Sequence, residues 1–379
     1  MIRPAQLEDV DALVAIENRC FDTDRLSRRS FRHMLTKAHA ATLVEESDDV
    51  LRGYVLVLFN AGTSLARMYS IAVDPAFRGK GIGRDLMAAA AQAALDQDCI
   101  NMRLEVRRDN TSSIRLYESM GYRQFGIYED YYEDHMGALR YEKRLVKQPR
   151  LEMARVPYYE QTLDFTCGPS ALMMAMRALD PAIELSRALE IRIWRESTTV
   201  FMTSGHGGCG PYGLALSAAH RGFDVEVYVN DEGALFIDSV RSEEKKEVMR
   251  LVQEDFLQEI EQVQLPVNYR RISVAEMRQA FEQGAIPLVL ISSYRIYQEK
   301  FPHWVVVTGF DDRFIYVHDP FVDHEKGKTA TDCMSMPILQ KDFERMARYG
   351  KSGQRSVLII RKAKAAPRKK AARKTGGKH

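Results

Sequence analysis

The stretch MYSIAVDPAFRGKGIGRDLM, residues 68–87, constrains the fold of this chain more than any other. An apolar strand pattern, ARMYSIAVD, passes through a short loop into an Ala-rich helix pattern, GIGRDLMAAAAQAALDQ. Glycines at 79, 81 and 83 allow close backbone approach, and the first N–H groups of a helix have no internal acceptors. Those donors and the positive end of the helix dipole converge on one spot, which suits a pyrophosphate. Arg78 and Lys80 add positive charge there. Two rival glycine loops fit poorly. A dinucleotide fingerprint needs its third glycine where Arg84 stands, and a P-loop needs Gly-Lys-Ser/Thr, whereas Lys80 precedes Gly81.

A glycine loop alone is equally a structural turn, so its downstream context matters. In NMRLEVRRDNTSSIRLYESMGY, Glu105 falls on a strand, Asn110 stands at the start of a helix, and Tyr117 lies within that helix ahead of Gly121-Tyr122. IAVDPAFRGKGIGR, LEVRRDN and LYESMGY, in this order, closely resemble the GNAT acetyltransferase superfamily, and within it the N-terminal acetyltransferases of the ribosomal-protein-alanine type. The resemblance covers residues 1–145. It implies a mixed-sheet GNAT fold that takes acetyl-CoA as acyl donor. Ile71, Ala72 and Val73 would offer backbone groups to the pantetheine arm, and Arg78, Gly79, Lys80, Gly81, Ile82, Gly83 and Arg84 would hold the pyrophosphate. Asn110 would help fix the cofactor. Glu105 would act as general base on the incoming ammonium, and Tyr117 would protonate the departing thiolate. The plainer readings are a paired carboxylate for Glu105 and core packing for Tyr117. The tyrosine-rich YEDYYEDH, residues 128–135, resembles the acceptor-side loop of these enzymes.

The second half carries a different constellation. EQTLDFTCGPSALMMAMRAL places Cys167 immediately before a helix pattern, where the dipole favours a thiolate nucleophile. Gln161 lies six residues upstream, positioned to aim its amide at an oxyanion near the sulfur. His303 opens the apolar run HWVVVTGF, and Asp319 ends FIYVHDP; adjacent strands would let Asp319 orient His303 and His303 take the thiol proton. This order of Gln, Cys, His and Asp resembles the C39-type cysteine peptidases, which have a papain-like fold. That resemblance covers about 155–360 and is strong at the motifs, with a charged helical pattern from about Asp238 to Val263 between them. Taken singly, Cys167 would pass for a small core residue and His303 for a satisfied core histidine. Cys209, in the Gly-rich SGHGGCGPYG, is a competing thiol expected on a flexible loop. His206 and His318 make no ligand spacing with a cysteine pair, so no metal is expected.

Length then bounds the organisation. At 379 residues the chain exceeds one ordinary core. The expected architecture is two-domain, α/β plus α+β: a GNAT domain over 1–148, a linker around KQPRLEMARVP, a C39-like domain over 155–361, and a disordered basic tail over 362–379. Residues 361–379 hold nine Lys or Arg and no acid, so the net charge of +2 conceals a body of −7. The tail is either a solubilising extension or a weak contact for a polyanion. The five cysteines are scattered and never form C-x-x-C, which argues against a disulfide framework. No apolar run of about 18 residues occurs and the opening MIRPAQLEDVDAL lacks signal-peptide character, so a cytoplasmic enzyme with no membrane partner is expected. The expected function is acetylation of an amine, a protein or peptide N-terminus, by a chain that is also a cysteine peptidase. The alternatives are an inactive peptide-binding module in the second domain and, ranked last, a nucleic-acid-associated modifier.

Overall fold

The computed structural model describes residues 1–146, 151–198, 207–237, 240 and 242–363. The first part contains, in chain order, β1 (Ile2–Pro4), α1 (Val10–Cys20), α2 (Arg28–Thr36), β2 (Ala40–Ser47), β3 (Val50–Phe59), β4 (Leu65–Val73), α3 (Ile82–Asp96), β5 (Asn101–Arg107), α4 (Thr111–Ser119), β6 (Arg123–Tyr128) and β7 (Ala138–Arg144). The second begins with β8 (Glu152–Met153), α5 (Cys167–Leu179), α6 (Arg187–Ser197), α7 (Pro211–Ala219), β9 (Phe223–Val229), α8 (Glu243–Gln262), β10 (Val267–Tyr269) and α9 (Val274–Glu282). It ends with β11 (Ile286–Ser292), α10 (Tyr294–Tyr297), β12 (Pro302–Phe310), β13 (Phe314–His318), α11 (Ala330–Cys333), β14 (Met336–Leu339), α12 (Gln340–Met346) and β15 (Ser356–Lys362).

The described strands β1–β7 form one mixed sheet in the order β1-β2-β3-β4-β5-β7-β6. Its centre is buried on both faces, and the alternation of β3 shows why. Val55, Val57 and Phe59 pack toward Leu86, Met87 and Ala90 of α3, whereas Tyr54 and Leu56 pack toward Leu13 and Ile16 of α1. A strand between two helical layers therefore reads as a continuous apolar run. All neighbouring pairs are antiparallel except β4 with β5, whose pairing spans only residues 65–67 against 101–103. Beyond that point β4 runs on to Val73 and β5 to Arg107 with no ladder pairs between them. A bulge opposite Leu56 and Val57 leaves Tyr69 without a register partner on β3.

The second sheet runs β10-β9-β15-β11-β12-β13-β14, with β8 pairing the far end of β12. α5 is buried along residues 168–176, as a helix apolar on all sides must be, and packs on β11 and β12. The charged pattern expected from Asp238 to Val263 is α8, a helix that begins at Glu243 behind a Ser242 cap. The expected linker is only partly a linker. Residues 147–150 lie outside the described residues, but Glu152 and Met153 pair with Phe310 and Gly309. A side chain on Gly309 would fall 2.5 Å from the Glu152 carbonyl, so this approach requires glycine. The basic tail expected over 362–379 lies outside the described residues from 364 onward, and β15 takes up Lys362.

The two sheets share a polar, close-packed boundary. Ile100 and Val146 meet Phe314, Tyr316 and Leu339 in a small apolar cluster of their own. Around it, arginines of β4, β5 and β7 take partners from the segment 311–337. Arg103 donates to the carbonyls of Thr331 and Met334, Arg140 to Thr331 Oγ1 at 3.0 Å, and Arg144 to Asp311 at 3.1 Å. No helix among the described residues is long and apolar enough to cross a membrane.

Candidate functional site

The glycine loop folds as a tight turn between β4 and α3. Gly79 and Gly81 adopt φ of +79° and +84°, a region in which a side chain is strained, and the space beside each is open. α3 begins at Ile82, with Gly81 as its left-handed cap. The N–H groups of Ile82 and Gly83 have no intrahelical carbonyl within reach, whereas those of Arg84 and Asp85 both bond the Gly81 carbonyl. Lys80 is exposed, with its ammonium 5.3 Å from the Phe77 ring centre. Arg78 bends back to donate to the Val73 carbonyl, and Arg84 donates to Ser119 at the end of α4. Ile71, Ala72 and Val73 lie on the part of β4 that has left β5. Asn110 caps α4, accepting from Ser112 Oγ and Ser113 N–H, so its side-chain oxygen is occupied locally.

Glu105 lies on β5 two residues past Arg103, the last position that pairs with β4, and Tyr117 is buried on α4. Burial pushes the Tyr117 hydroxyl up to about 12, against a lowering hydrogen bond from Ser113. The phenol is therefore protonated at neutral pH. Glu105 is a paired carboxylate: Oε2 accepts from Arg67 Nε at 2.9 Å, and the side chain is 5% exposed. Its other oxygen, Oε1, is buried and without a hydrogen-bond partner among the described residues. Tyr131 and Tyr132 of the tyrosine-rich loop close over this corner. Arg67 donates to the Tyr131 hydroxyl at 2.8 Å, and Tyr132 is electrostatically coupled to both Glu105 and Tyr117. Arg67 carried no signal in the sequence, because it reads as one more charge on an apolar strand.

The second site assembles at the N-terminus of α5. Cys167 is half-buried there, beside the His303 ring, whose charged form it favours. His303 Nε2 lies 2.6 Å from Asp319 Oδ1, and β12 and β13 are antiparallel neighbours. Burial works against the imidazolium, but Asp319 and then Cys167 outweigh it, and His303 is pushed up to about 10. Asp319 is wholly buried. Burial alone would raise its carboxyl, yet His303, the Tyr297 hydroxyl at 2.7 Å and the Phe321 N–H at 2.8 Å hold it below the ordinary range.

Tyr297 is a positioning residue that the sequence did not disclose. It lies on the single turn α10, six residues before His303, and fixes the Asp319 oxygen that His303 does not use. Gln161 is 9% exposed, and its backbone N–H binds the Pro320 carbonyl beside Asp319. One side-chain N–H goes to the Leu163 carbonyl at 2.9 Å, leaving a second donor on the same nitrogen. Glu190, fully buried on α6, gathers Tyr159, Thr162 and Thr166 and pins the loop that carries Gln161 to Cys167.

Cys209 departs from expectation. It is 6% exposed, its carbonyl accepts from Trp304 at 3.0 Å, and its Cβ would lie 3.3 Å from a side chain on Gly168. Burial holds its thiol protonated, so the flexible-loop reading fails at this residue. His206 lies outside the described residues. His318 is buried, bonding the Val156 carbonyl through Nε2 and accepting the Ser335 N–H at Nδ1. Among the described residues no group of three His, Cys, Asp or Glu side chains could hold a metal ion.

Comparison with known proteins divides the chain along the same line. Residues 10–122 match the acetyltransferase (GNAT) family, and residues 156–361, more than half of the chain, match the peptidase C39-like family. A Bacillus subtilis protein assigned as a ribosomal protein bS18-alanine N-acetyltransferase is 33% identical over 135 residues, 35% of this chain and 87% of that protein. An N-alpha-acetyltransferase of Sulfurisphaera tokodaii is 31% identical over 144 residues, 35% of this chain and 86% of that one. The crystal structure of the Escherichia coli ribosomal-protein-S18-alanine N-acetyltransferase aligns with a TM-score of 0.36 at 22% identity, over 40% of this chain and 96% of that one. With a glycine-turned helix start beside parting strands at one site and a cysteine, histidine and aspartate in contact at the other, the chain belongs to the GNAT acetyltransferases through its N-terminal third and to the peptidase C39-like family through its C-terminal half.

Proposed function

We propose that the N-terminal site acetylates an amine, a protein or peptide N-terminus, from acetyl-CoA, and that the C-terminal site is a cysteine peptidase. The observation that carries the first part is the parting of β4 and β5 between the helix-start donors and the Glu105 corner. A thioester laid along the freed edge of β4 at residues 71–73 would have its pyrophosphate at residues 79–84 and its acyl group near Tyr117. Arg78, Lys80, Ile82 and Gly83 would support the diphosphate, and Asn110 would hold the start of α4. The acceptor must lose a proton before its nitrogen can attack, and Glu105 Oε1 is the oxygen still open to take one, directly or through water. The leaving sulfur needs a proton, and the Tyr117 phenol carries one at neutral pH.

For the second site the supporting observation is the chain Cys167, His303, Asp319, Tyr297. His303 bound to Asp319 through Nε2 presents its other ring nitrogen to the thiol, the arrangement that removes the Cys167 proton and later returns it to a leaving amine. The free N–H of Gln161 would donate to the oxyanion. A pure peptide-binding module has no need of a histidine held between a thiol at a helix start and a buried carboxylate, so the enzyme reading is preferred over it.

The test uses full-length protein, acetyl-CoA and peptides with free or blocked N-termini. Tyr117→Phe should slow transfer on the order of 10²- to 10⁴-fold while the acetyl-CoA Kd holds. Wild-type turnover by that variant, with chemistry rate-limiting, would assign Tyr117 to packing.

A further inference from the structure

We propose that the cleft between the two sheets is a binding site for the free C-terminal residue of a peptide, which it recognises by carboxylate, amide N–H and apolar side chain. The site lies apart from both reacting centres and takes its walls from both halves of the chain.

Its floor is a patch of the first sheet. Asn101 and Arg103 of β5, Glu142 and Arg144 of β7 and Arg123 of β6 share one face, because Asn101 pairs with Arg144, and Glu142 pairs with both Arg103 and Arg123. The second half closes the other side with Met153 of β8 and Tyr316 of β13. The cleft measures about 500 Å³, a size within the roughly 300–1,000 Å³ of small-molecule sites. Asn101 stands on the strand that carries Glu105, roughly 13 Å before it at about 3.3 Å per residue. Neither Glu105 nor its register partner Arg140 lines the cleft.

Charge and unmet hydrogen bonds indicate what fits. Arg103 is matched by Glu142 at 2.6 Å and Arg144 by Asp311 at 3.1 Å. Arg123 is exposed and joins no ion pair among the described residues, which leaves the cleft one positive charge in excess. Two buried atoms on directly opposed residues lack a hydrogen-bond partner: Arg144 Nε, a donor, and Oδ1 of Asn101, an acceptor on a residue 5% exposed. The described protein satisfies neither, and both residues line the cleft, so their partners have to come from that side. The complement is an anionic acceptor with a donor next to it. A peptide's last residue carries both, a carboxylate for Arg144 and Arg123 and an amide N–H for Asn101. Its side chain would meet Phe125, Leu151 and Met153, exposed apolar side chains at the rim, whose burial adds affinity that a bare anion does not gain.

The experiment is titration calorimetry of the full-length protein with acetyl-alanyl-leucine. The acid should bind saturably at millimolar concentration or below. Its C-terminal amide, its ester analogue lacking the leucine N–H, and acetyl-alanyl-glycine should each bind on the order of tenfold more weakly or worse, since each removes one of the three contacts. Arg123→Glu, at an exposed residue outside every ion pair among the described residues, should weaken the acid on the order of tenfold or more and leave the amide unchanged. Absence of saturable binding overturns the proposal, as do equal affinities for acid and amide, for leucine and glycine peptides, for peptide and ester, or for wild type and Arg123→Glu. Binding lost on alkylation of Cys167, or inhibition of acetyl transfer competitive with the acceptor, would put the peptide at a reacting centre and overturn it equally.

Discussion

The nucleophilic role proposed for Cys167 rests on its neighbours rather than on its identity. Five cysteines are present, and burial pushes the thiols of the other four, Cys20, Cys99, Cys209 and Cys333, up, at Cys20 in spite of Arg78 beside it. Iodoacetamide at neutral pH should therefore modify Cys167 first. His303→Ala should slow that reaction roughly tenfold or more, and Asp319→Asn less, because the latter disturbs only the orientation and charge of the ring. The sign follows from the raised histidine. With a folded value of about 10 against 6.5 unfolded, the imidazolium and the stability it contributes are fully present below about pH 6.5 and decline as pH rises through about 10. Equal labelling of Cys167 and Cys20, measured by mass spectrometry, would sink the nucleophile assignment. The candidate pair Cys167 and His303 was legible because each stands at a position that announces its environment, a helix start and a strand start. Tyr297 was not, because nothing local marks a tyrosine on a single helical turn as the partner of an aspartate 22 residues away.

At the scale of elements, the β4–turn–α3 unit came through with its boundaries nearly intact, since glycine punctuation and helical periodicity are local signals. The cradling role proposed for it depends on the positive φ of Gly81. Gly81→Val should strain the turn by about 1–3 kcal/mol and weaken acetyl-CoA binding on the order of tenfold or more by calorimetry. Gly81→Asn, which tolerates the left-handed region, should bind nearly as wild type. Equal Kd values for the wild-type protein and Gly81→Val would show that the turn does not cradle the donor. β13 offers a second test through His318. Burial pushes its imidazole down to about 4, and both ring nitrogens are hydrogen-bonded in the neutral form. Because the unfolded chain binds that proton near 6.5, stability should fall between about pH 6.5 and 4, by up to about 3 kcal/mol from this group alone. His318→Gln should start less stable in urea and lose less over that interval. A parallel decline in both proteins would place the acid sensitivity elsewhere. The expected linker shows the limit of local reading: two prolines and mixed charge suggested a spacer, while Glu152 and Met153 found a strand edge that only the folded β12 provides.

Across the whole molecule, the two halves are held by arginines of one sheet satisfied by the other. Arg103 is 4% exposed, and its bonds to the Thr331 and Met334 carbonyls cross the boundary. Arg103→Gln would leave those carbonyls short of a donor, and a buried acceptor left unpaired costs roughly 1–3 kcal/mol. Calorimetry should show one cooperative transition for the wild-type protein and a lower, broadened or split one for the variant. Two resolved transitions already in the wild type would mean that neither half stabilises the other. The sequence by itself determined the two families and the order of elements around each motif, and it supplied the residues proposed to head each site, because periodicity, caps and glycine turns act over a few residues. Only the tertiary structure decided what those residues touch. Glu105 is flanked in sequence by Leu104 and Val106, yet its partners are Arg67 and, through it, Asp332, separated from one another by 265 positions. In sequence Arg67, Arg103 and Asp332 are ordinary charges; desolvation at the meeting of two sheets makes them obligatory partners, and no short window of residues contains both sides of that contact.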